Sequence, residues 1–208
     1  MSGDALTVDD DDRAVAVEFY SLAGGGDSAA RGALRRLGAL GGALGFVAGA
    51  AFVTDDRSRL AVYHQWSRRA GSDEYRSAWA LGQLEGLARD ESHLYEVVAR
   101  EPHDRPTTVT ADSLYAFGEF WVEPENQAEL VARERDAAVE AVARAGFTSA
   151  NFHRGLLGTR TVNLAQMSDP GVLTALTKRA WFAPETAYFR GLARNSFHAY
   201  HLRGIVAV

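Results

Sequence analysis

The chain has 208 residues, of which 47% are hydrophobic and 24% charged, values typical of a globular protein with a substantial core. The formal net charge of −5 argues against a nucleic-acid-binding protein, which would need clustered Lys and Arg residues. The absence of cysteine excludes disulfides, thiolate catalysis and cysteine-based zinc sites, and it fits a cytoplasmic protein.

Two stretches near the start of the chain are unusual in composition. Residues 1–13 include an acidic run at 9–12, which predicts a disordered tail and is opposite in charge to the start of a secretory signal. The stretch 37–54 carries no charge, but it consists mostly of Gly and Ala, whereas a membrane span needs about 20 predominantly apolar residues. We interpret it as a helix end, a turn and a strand, and expect no membrane segment.

The first half of the chain predicts a β-α-β-β-α-β order. Runs rich in Val, Phe and Tyr predict strands, and spaced leucines or good N-cap residues mark helices. The strands are predicted at 14–22, 46–54, 60–66 and 93–100, and the helices at 28–40 and 73–88. The segment 102–112, with Pro102 and Pro106, is predicted to be a linker.

The second half predicts the same order. Strands are predicted at 114–122, 147–156, 161–167 and 197–206, and helices at 124–145 and from 169 to 194, the latter split near Pro184. Three short matches between the halves share a separation of 101 positions: 18–20 with 119–121, 45–46 with 146–147, and 65–67 with 166–168. A constant separation predicts a tandem duplication.

These patterns predict an α+β fold of two tandem ferredoxin-like domains, at 14–101 and 113–208. Each unit covers only one sheet face with helices, so the other face needs a partner. We therefore expect the two sheets to pack against each other as an intramolecular dimeric α+β barrel.

Several familiar site patterns are weak or missing. The run 24–29 fits the dinucleotide pattern G-x-G-x-x-A, but the matching turn in the second half has no glycine, and the next strands indicate an antiparallel hairpin. We interpret the run as a strand-to-helix turn. The six histidines do not form a metal-ligand set, and no G-x-S-x-G serine-hydrolase motif occurs.

Two strands carry the strongest functional signal. Because side chains alternate between faces, His64 and Trp66 share one face of their strand, while Asn163 and Met167 share the equivalent face in the second half. A buried Trp or Asn usually has a hydrogen-bond partner, so the simpler interpretation is that Trp66 is a core residue and Asn163 bonds a neighbour.

The segments 146–153 (GFTSANFH) and 161–168 (TVNLAQMS) resemble the antibiotic biosynthesis monooxygenase family, most nearly the quinone-forming enzymes of aromatic polyketide pathways. The resemblance extends over nearly the whole chain as a tandem duplication. It implies dimeric α+β barrels that oxidise anthrone-type phenols to quinones with O2, using neither metal nor flavin. It also implies roles for an Asn and a Trp on one strand, a Tyr in the following helix, and an Arg farther along.

The resemblance divides this residue set between the halves. The first half keeps Trp66 and matches the helix position with Tyr75, but it has Val62 in place of the Asn, for which His64 could substitute. With Trp79, these side chains would line a cavity for a flat polycyclic aromatic. In such a dry cavity, hydrogen-bond donors would stabilise the deprotonated phenol.

The second half keeps Asn163, but it has Met167 in place of the Trp and Leu173 near the Tyr position. Arg190 matches the expected Arg most closely. The remaining residues expected to bind substrate are Gln65, His153, Gln166, Met167 and Trp181. The expected partners are an aromatic polyketide and O2, with no cofactor, metal, nucleic acid or membrane; further pairing of two chains is left open, as is which half is active.

Three other functions remain open at this point. A haem-degrading enzyme of this fold would use a His from the second helix of a unit, and neither segment predicted for that helix contains one. A polyketide cyclase would move protons in the same cavity without consuming O2. A non-catalytic binding protein would explain why neither half holds the full residue set.

Overall fold

The computed structural model of the chain describes residues 6–9, 13–42, 45–67, 84, 87, 89–178 and 191–208. The predicted helix at 73–88 therefore lies outside the described residues, apart from Leu84 and Leu87. Of the helical piece predicted at 185–194, only 191–194 is described, and its end is wrong because the last strand already begins at Ala193. The first-half elements are β1 (Leu6–Val8), β2 (Arg13–Ser21), α1 (Gly26–Leu40), β3 (Phe46–Val53), β4 (Arg59–Ser67) and β5 (Arg89–Glu101). The second-half elements are β6 (Thr107–Val109), β7 (Leu114–Val122), α2 (Gln127–Glu140), β8 (Phe147–Gly155), β9 (Arg160–Met167), α3 (Gly171–Thr177) and β10 (Ala193–Ala207).

Eight strands form a closed antiparallel barrel in the order β10-β3-β4-β2-β5-β8-β9-β7. The two longest strands, β5 with 13 residues and β10 with 15, join the halves. β5 pairs with β2 and β8, and β10 pairs with β7 and β3, so that no sheet edge is left open. The predicted α+β class and the barrel are confirmed.

Alternation along the strands separates two apolar layers. Inward-facing residues, among them Phe19, Phe52, Tyr63, Phe117 and Tyr200, fill the barrel with aromatic rings. The outward-facing residues of the first half pack under α1, and those of the second half pack under α2 and α3. Because the barrel interior is filled, space for a ligand is to be sought between the strands and the helices.

The helical prediction at 124–145 is confirmed: a 3₁₀ turn at Pro124–Asn126 leads into α2, and a π-helical turn at Ala141–Ala145 ends it. The uncharged stretch 37–54 forms the end of α1 and β3, as expected. Within the described part of the chain, no helix is both long and apolar enough to cross a membrane.

The sequence did not predict β1 and β6, which pair with each other within the expected tail and linker. Leu6, Val8 and Val109 are buried in the barrel core, so this small sheet packs across the barrel where β4 and β9 end. Two glutamines hold it there. Gln65 Nε2 donates to the Thr7 carbonyl (2.7 Å), and Gln166 Nε2 donates to the Thr108 carbonyl (2.6 Å).

One of the sequence matches between the halves is displaced by a residue in the structure. Phe19 lies opposite Ala61, whereas Glu119 lies opposite Val162, and Ala61 and Val162 are 101 positions apart. Glu119 therefore faces the barrel interior, where Arg59 donates to it (2.9 Å), and Glu18 faces α1. A shift of one residue exchanges the faces of a strand, so Glu18 corresponds in position to Gly118.

The substitution Gln166→Leu tests the role of the glutamines. It removes the hydrogen bond that Gln166 donates to the Thr108 carbonyl. The free energy of unfolding, measured by urea titration, should fall by about 1–3 kcal/mol. Thr108→Val is the matched control, because it keeps the carbonyl and changes only an exposed side chain. Equal stability of Gln166→Leu and the wild type would show that the glutamines do not hold the small sheet.

Candidate functional site

The first-half network consists of five side chains between the barrel and α1: Glu18, Tyr20, Arg36, His64 and Trp66. Glu18 is at its centre and is 2% exposed. It accepts hydrogen bonds from the Tyr20 hydroxyl, from Arg36 Nη1 (3.1 Å) and from His64 Nε2 (3.2 Å). The network therefore surrounds one buried carboxylate with three donors.

The tautomer of His64 follows from its partners. Trp66 Nε1 can only donate, and it lies 2.8 Å from His64 Nδ1, so Nδ1 is the acceptor and Nε2 carries the proton given to Glu18. Burial lowers the pKa of His64 and keeps the ring neutral. For Glu18, burial alone would raise the pKa, but the hydrogen bond from His64 and the charge of Arg36 outweigh it and lower the value to about 2.

The second half has a cavity in the corresponding place. It measures about 30 Å³, enough for one or two water molecules, and lies between the outer face of the strands and helices α2 and α3. Among the described residues that line it, two are polar, Asn163 from β9 and Glu134 from α2. The apolar wall includes Phe120, Phe147, Phe152, Leu173, Leu176 and Phe197.

The cavity exists because small residues replace the polar groups of the first-half network. In position, Gly118 corresponds to Glu18 and Ala165 to His64, as the strand registers show. The helices correspond at a separation of 101, which places Ala137 at the position of Arg36. A Cβ on Gly118 would lie 2.4 Å from the Phe197 ring, so only glycine lets this ring lie against β7.

Asn163 presents an amide to this cavity. It is half-buried, and its Oδ1 accepts the backbone N–H of Asn151 (3.1 Å). That bond fixes the side-chain orientation. No described residue accepts a hydrogen bond from Asn163 Nδ2, so the amide N–H groups are available to a ligand.

Glu134 is the residue that the sequence analysis missed. It is 1% exposed, its Oε1 accepts the Thr161 hydroxyl, and its Oε2 is buried without a hydrogen-bond partner among the described residues. Burial raises the pKa of Glu134 to about 8, against a smaller opposing effect of Thr161. Helical spacing could have revealed it, because Leu130, Glu134 and Ala138 lie four residues apart on one buried face.

The other predicted residues are distributed over different parts of the molecule. His153 lies inside the barrel, where Nδ1 donates to the Val162 carbonyl (3.2 Å) and Nε2 accepts the Tyr63 hydroxyl (3.1 Å). Burial lowers the pKa of His153 to about 4. Met167 packs in the outer core of the second half. The remaining predicted site residues, Tyr75, Trp79, Trp181 and Arg190, lie outside the described residues.

The structure gives little support to other kinds of site in the described ranges. No group of three or more His, Asp or Glu side chains is placed there to hold a metal ion. The run 24–29 is a turn: Gly24 and Gly25 have positive φ (128° and 72°), and α1 begins at Gly26. The neighbouring strands β3 and β4 are antiparallel, as expected, which is unlike a doubly wound sheet.

The raised pKa of Glu134 has a consequence for stability. Between its ordinary value near 4.5 and about 8, the folded state holds a proton that the unfolded state has released. Stability must therefore fall as the pH rises through this range. Glu134→Gln should remove this loss and gain a few kcal/mol over the wild type at about pH 8, but much less at about pH 5.

The measurement is the free energy of unfolding of both proteins in urea across this pH range. Glu129→Gln, on the exposed side of the same helix, is the control and should follow the wild-type curve. A difference between Glu134→Gln and the wild type that does not change with pH would contradict a raised pKa.

No protein-family model and no curated protein matches the chain. Among solved structures, an anthrone oxidase-like protein superposes with a TM-score of 0.71 at 13% identity, covering 98% of this chain and 96% of its own. A candidate monooxygenase of Fusobacterium nucleatum subsp. nucleatum has a TM-score of 0.62 at 10% identity, covering 94% of each chain. A ferredoxin-fold protein of Listeria monocytogenes related to antibiotic biosynthesis monooxygenases has a TM-score of 0.53 at 11% identity, covering 90% of this chain and 93% of its own. At these identities the comparisons show the fold alone, and that fold is one found in monooxygenase-like proteins.

Proposed function

We propose that the protein is a cofactor-independent monooxygenase that oxidises a flat, electron-rich aromatic of the anthrone type with O2 in the second-half cavity. The observation that carries this proposal is an apolar cavity that presents the free amide of Asn163. The fold shared with an anthrone oxidase-like protein supports the same reaction class. Antibiotic and polyketide metabolism, as the sequence resemblance implies, is the proposed context.

The proposed chemistry needs only a substrate that can supply electrons. Loss of a proton from the anthrone methylene gives an anion whose negative charge lies largely on the former carbonyl oxygen, now a phenolate oxygen. Asn163 Nδ2–H would donate to that oxygen and stabilise the anion in an environment from which water is excluded. The anion reduces O2, one oxygen atom enters the carbon, and the other leaves as water. The methylene thus becomes a carbonyl.

A tricyclic ring system is much larger than the 30 Å³ cavity. We propose that the substrate enters by displacing Leu173 and Leu176, which are the buried residues of α3. This helix has only seven residues, so its packing on the barrel is weaker than that of α2. Without substrate, the cavity would then have room only for O2 or a water molecule.

The protein is proposed to be a tandem duplication in which the first half has become structural. Ala30, Ala33 and Leu37 are buried in α1, and the residues 101 positions later are buried in α2. Gln65 and Gln166, which are also 101 positions apart, make the same kind of contact to the small sheet. In the first half, Trp66 donates to His64, and His64 donates to Glu18. The domain limits at 14–101 and 113–208, pairing of two chains and a cytoplasmic location stay predictions.

A polyketide cyclase is the second candidate, because Glu134 in the same cavity could move protons without O2. An aerobic assay separates the two functions. A monooxygenase consumes O2 in proportion to the quinone formed, whereas a cyclase forms product at the same rate under nitrogen.

The two halves can be tested against each other with one pair of variants. Asn163→Leu removes the proposed donor and should lower O2 uptake with a tricyclic anthrone by about 10²-fold. Trp66→Phe should leave the turnover number within about twofold, while costing about 1–3 kcal/mol of stability because His64 loses its donor. Oxygen uptake that is lost in Trp66→Phe and kept in Asn163→Leu would place the reaction in the first half and contradict the proposal.

A further inference from the structure

We propose that Glu134 is the catalytic base of the second-half cavity, the group that takes the proton from an acidic aromatic substrate. This inference rests on the proposed function for its substrate class, and it adds a residue that neither the sequence resemblance nor the comparisons assign. Three observations on the molecule carry it: where the carboxyl group lies, which of its atoms are bonded, and what surrounds it.

The position of Glu134 relative to Asn163 suits a single substrate. Thr161 and Asn163 lie on the same face of β9, two residues and therefore about 7 Å apart along the strand. The Thr161 hydroxyl donates to Oε1 of Glu134, so the carboxyl group lies above Thr161, and the amide of Asn163 lies about two residues farther along the strand. An aromatic ring across the cavity could place its oxygen at the amide and its acidic C–H or O–H group at the carboxylate.

The bonding of the two carboxylate oxygens leaves one for chemistry. Oε1 is anchored by Thr161, which fixes the side chain, whereas Oε2 is buried and has no partner among the described residues. A buried carboxylate oxygen without a donor is costly, and structural carboxylates avoid it. Glu18 in the first-half network is such a structural carboxylate, with donors from Tyr20, Arg36 and His64.

The surroundings of Glu134 provide no compensating charge in the described part of the chain. The strands that pack under α2 present apolar side chains. These are Phe147, Ala150 and Phe152 of β8, Ala165 of β9, and Val98 and Ala99 of β5. Of the charged residues on these elements, Arg154 and Glu96 bond each other, and so do Glu129 and Arg133 of α2. Burial and the Thr161 hydroxyl are the two influences on the Glu134 carboxyl group in the described part of the chain. Arg135 donates to the Val98 carbonyl. Burial alone therefore raises the pKa of Glu134 to about 8, two units below that of an ordinary phenol near 10.

Because these two pKa values are close, the Glu134 carboxyl group can both take a proton from the substrate and give it back. As a carboxylate, Glu134 removes one methylene proton, and the carbon keeps the electron pair. The carbanion passes its electrons to O2 and a C–O bond forms, giving a peroxide that takes the proton back from Glu134. Loss of the second methylene proton to Glu134 then breaks the O–O bond and gives the carbonyl and hydroxide. The same proton converts the hydroxide to water and returns the carboxylate.

The experiment follows proton removal without O2. A tricyclic anthrone is incubated anaerobically with the protein in D2O, and exchange of its methylene hydrogens is measured by proton NMR. Wild-type protein should accelerate exchange, Glu134→Gln should lower the enzymatic rate by at least about 10²-fold, and Glu129→Gln should keep it. Glu134→Asp, which retains a shortened carboxyl group, should restore part of the rate.

Two further readouts distinguish a base from a structural residue. The exchange rate of the wild type should rise with pH to a plateau above about pH 8, and this inflection should be absent in Glu134→Gln. Infrared difference spectra should show the carbonyl band of a protonated carboxylic acid at about pH 6 that disappears at about pH 10 and is missing in Glu134→Gln. Circular dichroism of each variant checks that it is folded.

The outcomes for Glu134 and for the proposed function are separable. Exchange by the wild type that is lost in Glu134→Gln, without O2 uptake in air, would support Glu134 as the base and refute the monooxygenase. Oxygen uptake with an unchanged rate and pH profile in folded Glu134→Gln would refute the base and keep the monooxygenase. Absence of exchange in the wild type, or full exchange in Glu134→Gln, overturns the inference.

Discussion

Closure of the barrel is the constraint on which the rest of the structure depends. Because β5 and β10 each pair with strands of both halves, every strand of the barrel has two neighbours and the inward faces enclose a single core. Aromatic rings fill this core, and the β1–β6 sheet packs across it where β4 and β9 end. The first-half network and the second-half cavity both lie on the outer faces, where each half packs under its own helices.

The two halves differ in what lies between the barrel and their helices. The first links a carboxylate, an imidazole, a guanidinium and an indole through hydrogen bonds. The second replaces the first three by Gly118, Ala165 and Ala137, and space opens beneath α2. Two glutamates in one chain thus have pKa values far apart, about 2 for Glu18 and about 8 for Glu134, which is the pattern of a structural and a reactive carboxyl group.

Much of this architecture could be predicted from the sequence, because it depends on local periodicity. The long helical segment at 124–145 and the hairpin of β8 and β9 follow from spacing and turn residues. The three-residue strands β1 and β6 could not be predicted, since each is stabilised only by the other and by the barrel beneath them. The one-residue displacement of Glu119 was hidden because matching letters do not reveal which face a strand turns inward.

The site was predictable only in part. Asn163 was found from its strand and its resemblance to a known motif, and it lines the cavity. His153 was expected there too, and Gln65 and Gln166 were expected to bind substrate, but His153 lies inside the barrel and the glutamines contact the small sheet. The partners of Trp66 come from β2 and α1, which no local pattern connects to β4. Glu134 could have been found from its helical spacing, because it lies four residues from both Leu130 and Ala138 on the buried face of α2.

The central claim is that an aromatic ligand binds in the second half of the molecule and not in the first. An NMR titration of ¹⁵N-labelled protein with a tricyclic quinone, the proposed product, tests this claim most directly. The side-chain amide resonances of Asn163 should shift on binding. The indole N–H resonance of Trp66, which donates to His64, should not shift. A shift of the Trp66 indole with an unchanged Asn163 amide would contradict this claim.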